Sequence, residues 1–245
     1  MSIVDEFWDL VERDLLPEYL KDNGYLAGGF RRPAVELGES DVEWFLAALR
    51  SGLVQRLPRG ELWLPGSPSR TTLFWEHEKS ISPRPITLYI EGLVAVAAAA
   101  RLHYIFGWPK WCLGFESSDS AFDLVGLLPR RTHEWIAGEA KSTAEGVERL
   151  ITMVQECGSK GPHDEGLHGK GLELNSHRKW LGLVRSRAPV FFVFGPDRDW
   201  HVFEVTHGPA KAIALKDAPE SALRCPISTS AMPVRSLPGS WEGTV

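Results

Sequence analysis

Within FDLVGLLPRRTHEWIAGEAK, residues 122–141 of this 245-residue chain, three charged residues stand among apolar neighbours on strand-like segments: Asp123, Glu139 and Lys141. Two carboxylates and an ammonium brought together suit a divalent-metal site for hydrolysis, because hard oxygens hold such an ion and a fixed cation offsets developing charge. Strand geometry is what would bring them together. Residues 122–128 and 135–140 are rich in β-formers and flank the turn-like Pro129, Arg130, Arg131, Thr132 and His133, which predicts a hairpin. With that loop, Leu128 faces Glu134, paired positions sum to 262 and Asp123 falls opposite Glu139. Directly paired residues have Cβ atoms about 4.5–5.5 Å apart on one face. Lys141, two residues beyond Glu139, shares that face.

The surroundings are apolar on both sides of the hairpin. Val125, Leu127, Trp135 and Ala137 accompany the charges, and Leu124, Leu128 and Ile136 lie opposite, which predicts an interior sheet covered on both faces. Upstream, Pro85 suits the first turn of a helix over 86–106 whose early part carries one acid, Glu91, among apolar neighbours. A buried carboxylate there needs a partner. Leu113 to Glu116 reads as a short strand before the hairpin. Directly after Lys141, Ser142 to Glu145 reads as a capping box opening a helix with the stripe Val147, Leu150, Ile151 and Val154, flanked by Gln155.

Residues 158–171 hold five glycines and read as a loop able to close over a substrate; its His163, Asp164 and His168 match no metal-ligand pattern. A helix over 174–187 follows, carrying His177, Arg178, Lys179, Arg185 and Arg187 with no acid after Glu173, a set suited to phosphate contacts. Residues 190–194 form an apolar strand and 200–205 its hairpin partner, while 212–215 hint at one more. Beyond them Pro219, Pro226, Pro233 and Pro238 mark an irregular tail.

The N-terminal part divides from this core. Val4, Trp8, Val11 and Leu15 have helical spacing interrupted at Pro17, Ser40 to Glu43 read as a capping box for a second helix, and strand-like pieces lie at 62–64 and 71–75. With Arg50, Arg56, Arg59 and Arg70 nearby, this region is read as a structural cap or a DNA-contacting extension. The organisation is therefore an extension at 1–83, a core at 84–216 and a tail at 217–245.

Composition narrows the classes. The net charge of −5 resides in residues 1–22, with seven acids against two bases, so the remainder balances and can carry a basic surface. Cys112, Cys157 and Cys225 have no paired spacing, against a disulfide framework or a zinc site. The acidic start MSIVDEFWDL has no apolar signal region, and the most apolar run, 92–100, is too short to span a bilayer. The expectation is a cytoplasmic protein without a membrane partner.

The order of a helix with Glu91, a strand, a strand with Asp123, a strand with Glu139-Ala140-Lys141, a helix and a further strand resembles the αβββαβ core of the PD-(D/E)XK nuclease superfamily. Phe122 stands where that name has proline. The resemblance covers about 84–205 and implies an α/β fold of restriction-endonuclease-like type, a central mixed sheet flanked by helices, with the N-terminal helices and β-hairpin appended. It implies Mg²⁺, with Mn²⁺ able to substitute, held by Asp123, Glu139 and the Ala140 carbonyl. Lys141 would hold or help deprotonate the attacking water, and Glu91 would hold a water or a second ion. His177, Arg178, Lys179, Arg185 and Gln155 would contact substrate. The activity so implied is endonucleolytic hydrolysis of DNA, of a restriction, defence or repair kind, with the choice of DNA over RNA left open and a homodimer as one way of cutting both strands. The competing reading is a nuclease-fold module that binds nucleic acid or protein without cleavage. No H-E-x-x-H, G-x-S-x-G or P-loop pattern supports another hydrolase.

Overall fold

The computed structural model describes residues 1–26, 28–67, 69–117, 121–128, 134–160, 172–209 and 212–227. Ser2 opens α1 (Ile3–Leu10) with a reciprocal cap to Asp5. The helix then passes through a π-helical turn, Val11–Leu15, into α2 (Leu16–Asn23). Pro17 does not interrupt it as expected: the residue lies in the first turn of α2, where a missing N–H matters least. After β1 (Phe30–Arg31), α3 (Glu39–Arg50) starts from Gly38 with no side-chain cap. The expected capping box is absent because Ser40 and Asp41 are turned to Arg101 instead, at 2.8 Å each.

Strands β2 (Gln55–Leu57), β3 (Glu61–Trp63) and β4 (Thr71–Thr72) form one antiparallel sheet. A second sheet joins β5 (Phe74–Glu76) and β6 (Ile86–Leu88) to β1. The chain at 86–88 is therefore a strand, and α4 (Ile90–Tyr104) starts later than expected. Ile86 and Thr87 are β-branched and find partners on both edges, in β1 and β5, which outweighs their continuity with the apolar helix. Glu91 is consequently in the first turn of α4.

The central sheet has six strands in the order β12-β11-β10-β9-β8-β7. They are β7 (Leu113–Phe115), β8 (Leu124–Leu127), β9 (Glu134–Ala140), β10 (Val190–Phe194), β11 (Trp200–His207) and β12 (Ile213–Asp217). Only β9 and β10 run parallel; the other neighbours are antiparallel. The parallel pair requires a long crossover, which α5 (Ala144–Lys160) and α6 (Leu172–Ser186) supply. Thr143 caps α5, its hydroxyl accepting from Gly146 N at 3.1 Å, so the cap lies one residue after the expected Ser142.

The architecture is mixed α/β with both faces of this sheet covered. On one face Leu93 and Val96 of α4 share an apolar cluster with Leu124, Ile136 and Phe192, and Phe7 and Phe45 of the N-terminal helices join it. On the other, Val147, Leu150 and Val154 of α5 meet Val125, Ala137 and Phe191. The hairpin keeps the expected register at its charged end, with Leu124 opposite Gly138, Val125 opposite Ala137 and Gly126 opposite Ile136. It then slips: Leu127, rather than Leu128, pairs with Glu134 across a bulge. The bulge re-aims Trp135, which packs with Leu128 in the α4-side cluster instead of sharing the face of Val125. Gly126 lies under the Trp108 ring, where an added Cβ would come within 2.9 Å of it. The turn at 129–133 and the glycine-rich stretch at 161–171, with His163, Asp164 and His168, lie outside the described residues, as does the tail from 228. Among the described residues no helix is long and apolar enough to cross a membrane.

Candidate active site

Asp123 immediately precedes β8, and its main chain is fixed by two ladder-like bonds, Asp123 N to Gly138 O at 2.9 Å and Glu116 N to Asp123 O at 3.0 Å. Its side chain turns to the next strand, where Oδ2 accepts from Ala140 N at 2.9 Å. Glu139 and Lys141 emerge from the end of β9, and Glu139 is only 2% exposed. One ammonium holds each oxygen of that carboxylate: Lys141 Nζ is 2.7 Å from Oε1 and Lys179 Nζ is 2.7 Å from Oε2. Lys141 Nζ also donates to the Ala140 carbonyl at 2.6 Å. Lys179 arrives from α6, its charge also 5.9 Å from the centre of the Phe122 ring. Glu91, at the positive end of α4, accepts from the Tyr89 hydroxyl at 3.1 Å.

Burial, reinforced by the charge of Glu139, raises the Asp123 carboxyl from 3.8 to about 8, against the pull of Lys179, Lys141 and the Ala140 N–H. Burial alone would lower the Lys141 ammonium, but the carboxylates of Glu139, Glu91 and Asp123 outweigh it and the net shift is upward. The Tyr89 phenol is raised by burial and by the same carboxylates. At neutral pH the site thus holds Lys141 charged and Asp123 largely protonated.

The Asp123 shift makes stability fall with pH. Between about 4 and 8 the folded chain holds a proton that the unfolded chain has released, so this contribution is complete below 3.8 and is lost as pH rises toward 8. Asp123→Asn keeps an acceptor for Ala140 N and removes the titration. Thermal melts in EDTA from pH 5 to 8.5 are expected to show a steeper decline for the wild type than for Asp123→Asn, with the variant the more stable at the upper end. Parallel curves would contradict this.

Of the residues expected to contact substrate, α6 separates two kinds. His177 is fully buried, with its ring 5.2 Å from that of Trp180, so it belongs to the interior rather than to a phosphate-binding surface. Lys179 is also buried, and it joins the acid cluster instead of facing outward. Arg178 and Arg185 are exposed on α6, and Gln155 is exposed on α5. The expected basic surface is further reduced in the extension, where Glu6 pairs with Arg50, Glu18 with Arg56 and Glu61 with Arg70. Three of the four arginines that suggested a DNA reader, Arg50, Arg56 and Arg70, are thus paired with carboxylates.

A pocket of about 230 Å³ opens onto Asp123 and is lined in addition by Glu61, Arg70, Trp75, Tyr89 and Glu116. A larger one, of about 540 Å³, lies between α2 and the β2–β3 hairpin and includes none of the carboxylates Glu91, Asp123 and Glu139. Tyr89, Trp75 and Glu116 had no motif to mark them in the sequence.

The donor chemistry fits Mg²⁺. That ion typically takes one or two carboxylates and completes its shell with water and phosphate oxygens. Asp123, Glu139 and the Ala140 carbonyl are such a set, and the Lys141 ammonium already bridges Glu139 and Ala140 as a cation would. Among the described residues no group of three or more His, Cys, Asp or Glu side chains is gathered to hold an ion by itself. Comparison with protein-family models, with curated proteins and with solved structures returned no match.

Proposed function

We propose that the chain is a Mg²⁺-dependent nuclease of restriction-endonuclease-like fold that hydrolyses phosphodiester bonds in DNA, with Asp123, Glu139 and the Ala140 carbonyl as the metal donors. The observation that carries this reading is the convergence of Asp123 and Glu139 with two buried lysines at the end of the β8–β9 hairpin. A half-buried carboxyl raised to about 8 is poorly satisfied by the protein alone, and a divalent cation is what would let it ionise. When bound, Mg²⁺ supplies Lewis-acid polarisation of the phosphate and acidifies the attacking water.

The chain's own groups divide the remaining work. Lys141 is charged at neutral pH, so it donates to the developing negative charge on the phosphoryl oxygens and does not serve as the base. Lys179 keeps Glu139 oriented from the opposite oxygen. Glu91, which accepts from the Tyr89 hydroxyl, acts on Lys141 through its charge.

The test compares the wild type with Asp123→Asn on plasmid, linear duplex and single-stranded DNA, in Mg²⁺ or Mn²⁺ against EDTA. Cleavage by the wild type is expected to require metal and to drop at least about 10²-fold in the variant. Because Asp123→Asn is expected to melt no lower than the wild type at neutral pH, unfolding would not explain the loss. Equal cleavage by both proteins would remove this site from the reaction, and nucleic-acid binding without any cleavage would favour a non-catalytic module.

A further inference from the structure

Trp75 on β5 is a large aromatic residue left 52% exposed. Its ring stacks on Tyr89, with centroids 5.7 Å apart and planes at 28°. Tyr89 in turn donates to Glu91, so an exposed ring surface is joined through one ring and one hydrogen bond to the carboxylate site. Both rings line the pocket of about 230 Å³ that opens onto Asp123. That volume is below the roughly 300–1,000 Å³ of pockets that take drug-sized ligands, and it suits a single ring system.

The remaining lining is polar and of mixed sign. Glu61 and Glu116 provide carboxylate acceptors, and Arg70 provides a guanidinium. Glu116 holds a left-handed backbone, φ 55°, where its N–H bonds to the Asp123 carbonyl, so its position is tied to that of the proposed metal donor. Among the described residues Arg70 pairs with Glu61, and the two side chains are 55% and 35% exposed. Exposed pairs of this kind add little to stability, so the guanidinium can exchange that carboxylate for a phosphate at small cost. A flat apolar face, acceptors at its edge and a loosely held guanidinium match the base, the exocyclic amino group and the phosphate of a nucleotide.

We propose that this pocket receives one unpaired nucleobase adjacent to the phosphate to be cut, stacked on Trp75, and that the substrate is therefore DNA that is single-stranded or locally opened at that nucleotide. The proposal rests on the nuclease reading and adds its substrate class. A base paired within a duplex would have to be unstacked and turned out before entering, which disfavours intact duplex.

Binding can be measured apart from cleavage, in EDTA, by anisotropy of a labelled eight-nucleotide single strand and of the same sequence as a duplex. The wild type is expected to prefer the single strand. Trp75→Ala is expected to bind it roughly 5- to 150-fold more weakly, the range found when one stacking platform is removed, and Trp75→Phe to retain most of the affinity. Arg70→Ala is expected to lower the slope of log affinity against log salt by about 0.7. Melting curves confirm that the variants fold, as the exposure of Trp75 and Arg70 leads one to expect. Equal single-strand affinity for wild type and Trp75→Ala, preference for duplex, or no binding at all overturns the pocket assignment. Metal-dependent cleavage together with binding indifferent to Trp75 would retain the nuclease reading and remove the pocket. Trp75-dependent binding by a protein that never cleaves would do the reverse.

Discussion

Replacing Glu139 by alanine is expected to destabilise the metal-free protein by about 3–5 kcal/mol, the usual consequence of removing one side of a buried ion pair. Glu139 is 2% exposed and is the shared partner of Lys141 and Lys179, each 2.7 Å away. Without it, two buried ammonium groups face each other across the space that the carboxylate filled. Asp123 limits the damage, because the loss of Glu139 removes one cause of its raised pKa and lets it ionise beside the lysines. Glu139→Gln retains one acceptor oxygen and sets its amide NH₂ against the other lysine, so it is expected to fall between wild type and Glu139→Ala. Adding Lys179→Met to Glu139→Ala is expected to recover part of the lost stability, since it removes a charge that has become unpaired. Urea denaturation at pH 7 in EDTA reads all four proteins. A Glu139→Ala midpoint within error of wild type would mean that the carboxylate is not clasped as described.

The hairpin was the most legible part of the site because strand period and loop length fix which side chains meet. The two-residue spacing of Glu139 and Lys141 is visible without any tertiary information, and the pairing of Leu124 to Gly126 with Gly138 to Ile136 is the one a five-residue turn predicts. The same arithmetic failed at the far end, where Leu127 pairs with Glu134, because a bulge leaves no sequence mark of its own. Lys179 shows a different limit. It lies on a helix whose buried positions include Ser176, Trp180 and Leu183, a spacing that places position 179 near the apolar face. What no local pattern gives is its partner, 40 positions earlier on β9. The strand at 86–88 was hidden for a related reason: Ile86 to Leu88 continue the apolar run of α4, and only the neighbouring strands β1 and β5 decide between the two structures.

Arg101→Met is expected to cost about 3–5 kcal/mol as well, through the position of α4 rather than through the chemistry. Arg101 is 2% exposed and Asp41 1%, with Nη1 donating to Asp41 Oδ1 at 2.8 Å and Nη2 to Ser40 Oγ at 2.8 Å. The other Asp41 oxygen accepts from Asp197 N at 2.7 Å, in the turn between β10 and β11. Burial raises the Asp41 carboxyl, and Arg101 and the Asp197 N–H pull it back, so the aspartate depends on both partners for its charge. The guanidinium also lies 5.3 Å from the centre of the Trp200 ring. One side chain of α4 thus ties together α3, the β10–β11 turn and β11, at the opposite end of the helix from Glu91. In Arg101→Met the buried Asp41 loses its counter-charge and keeps its bond to Asp197 N, and protonation is its cheapest response. The loss should therefore shrink as pH falls, because protonation relieves the unpaired Asp41 of the variant. Asp41→Asn in the Arg101→Met background is expected to restore part of the stability at pH 7. Denaturation curves for the two single variants and the double variant, at pH 5 and pH 7, provide the measurement. A pH-independent loss, with no recovery in the double variant, would show that Arg101 acts by packing on Trp200 and not as the counter-charge of Asp41.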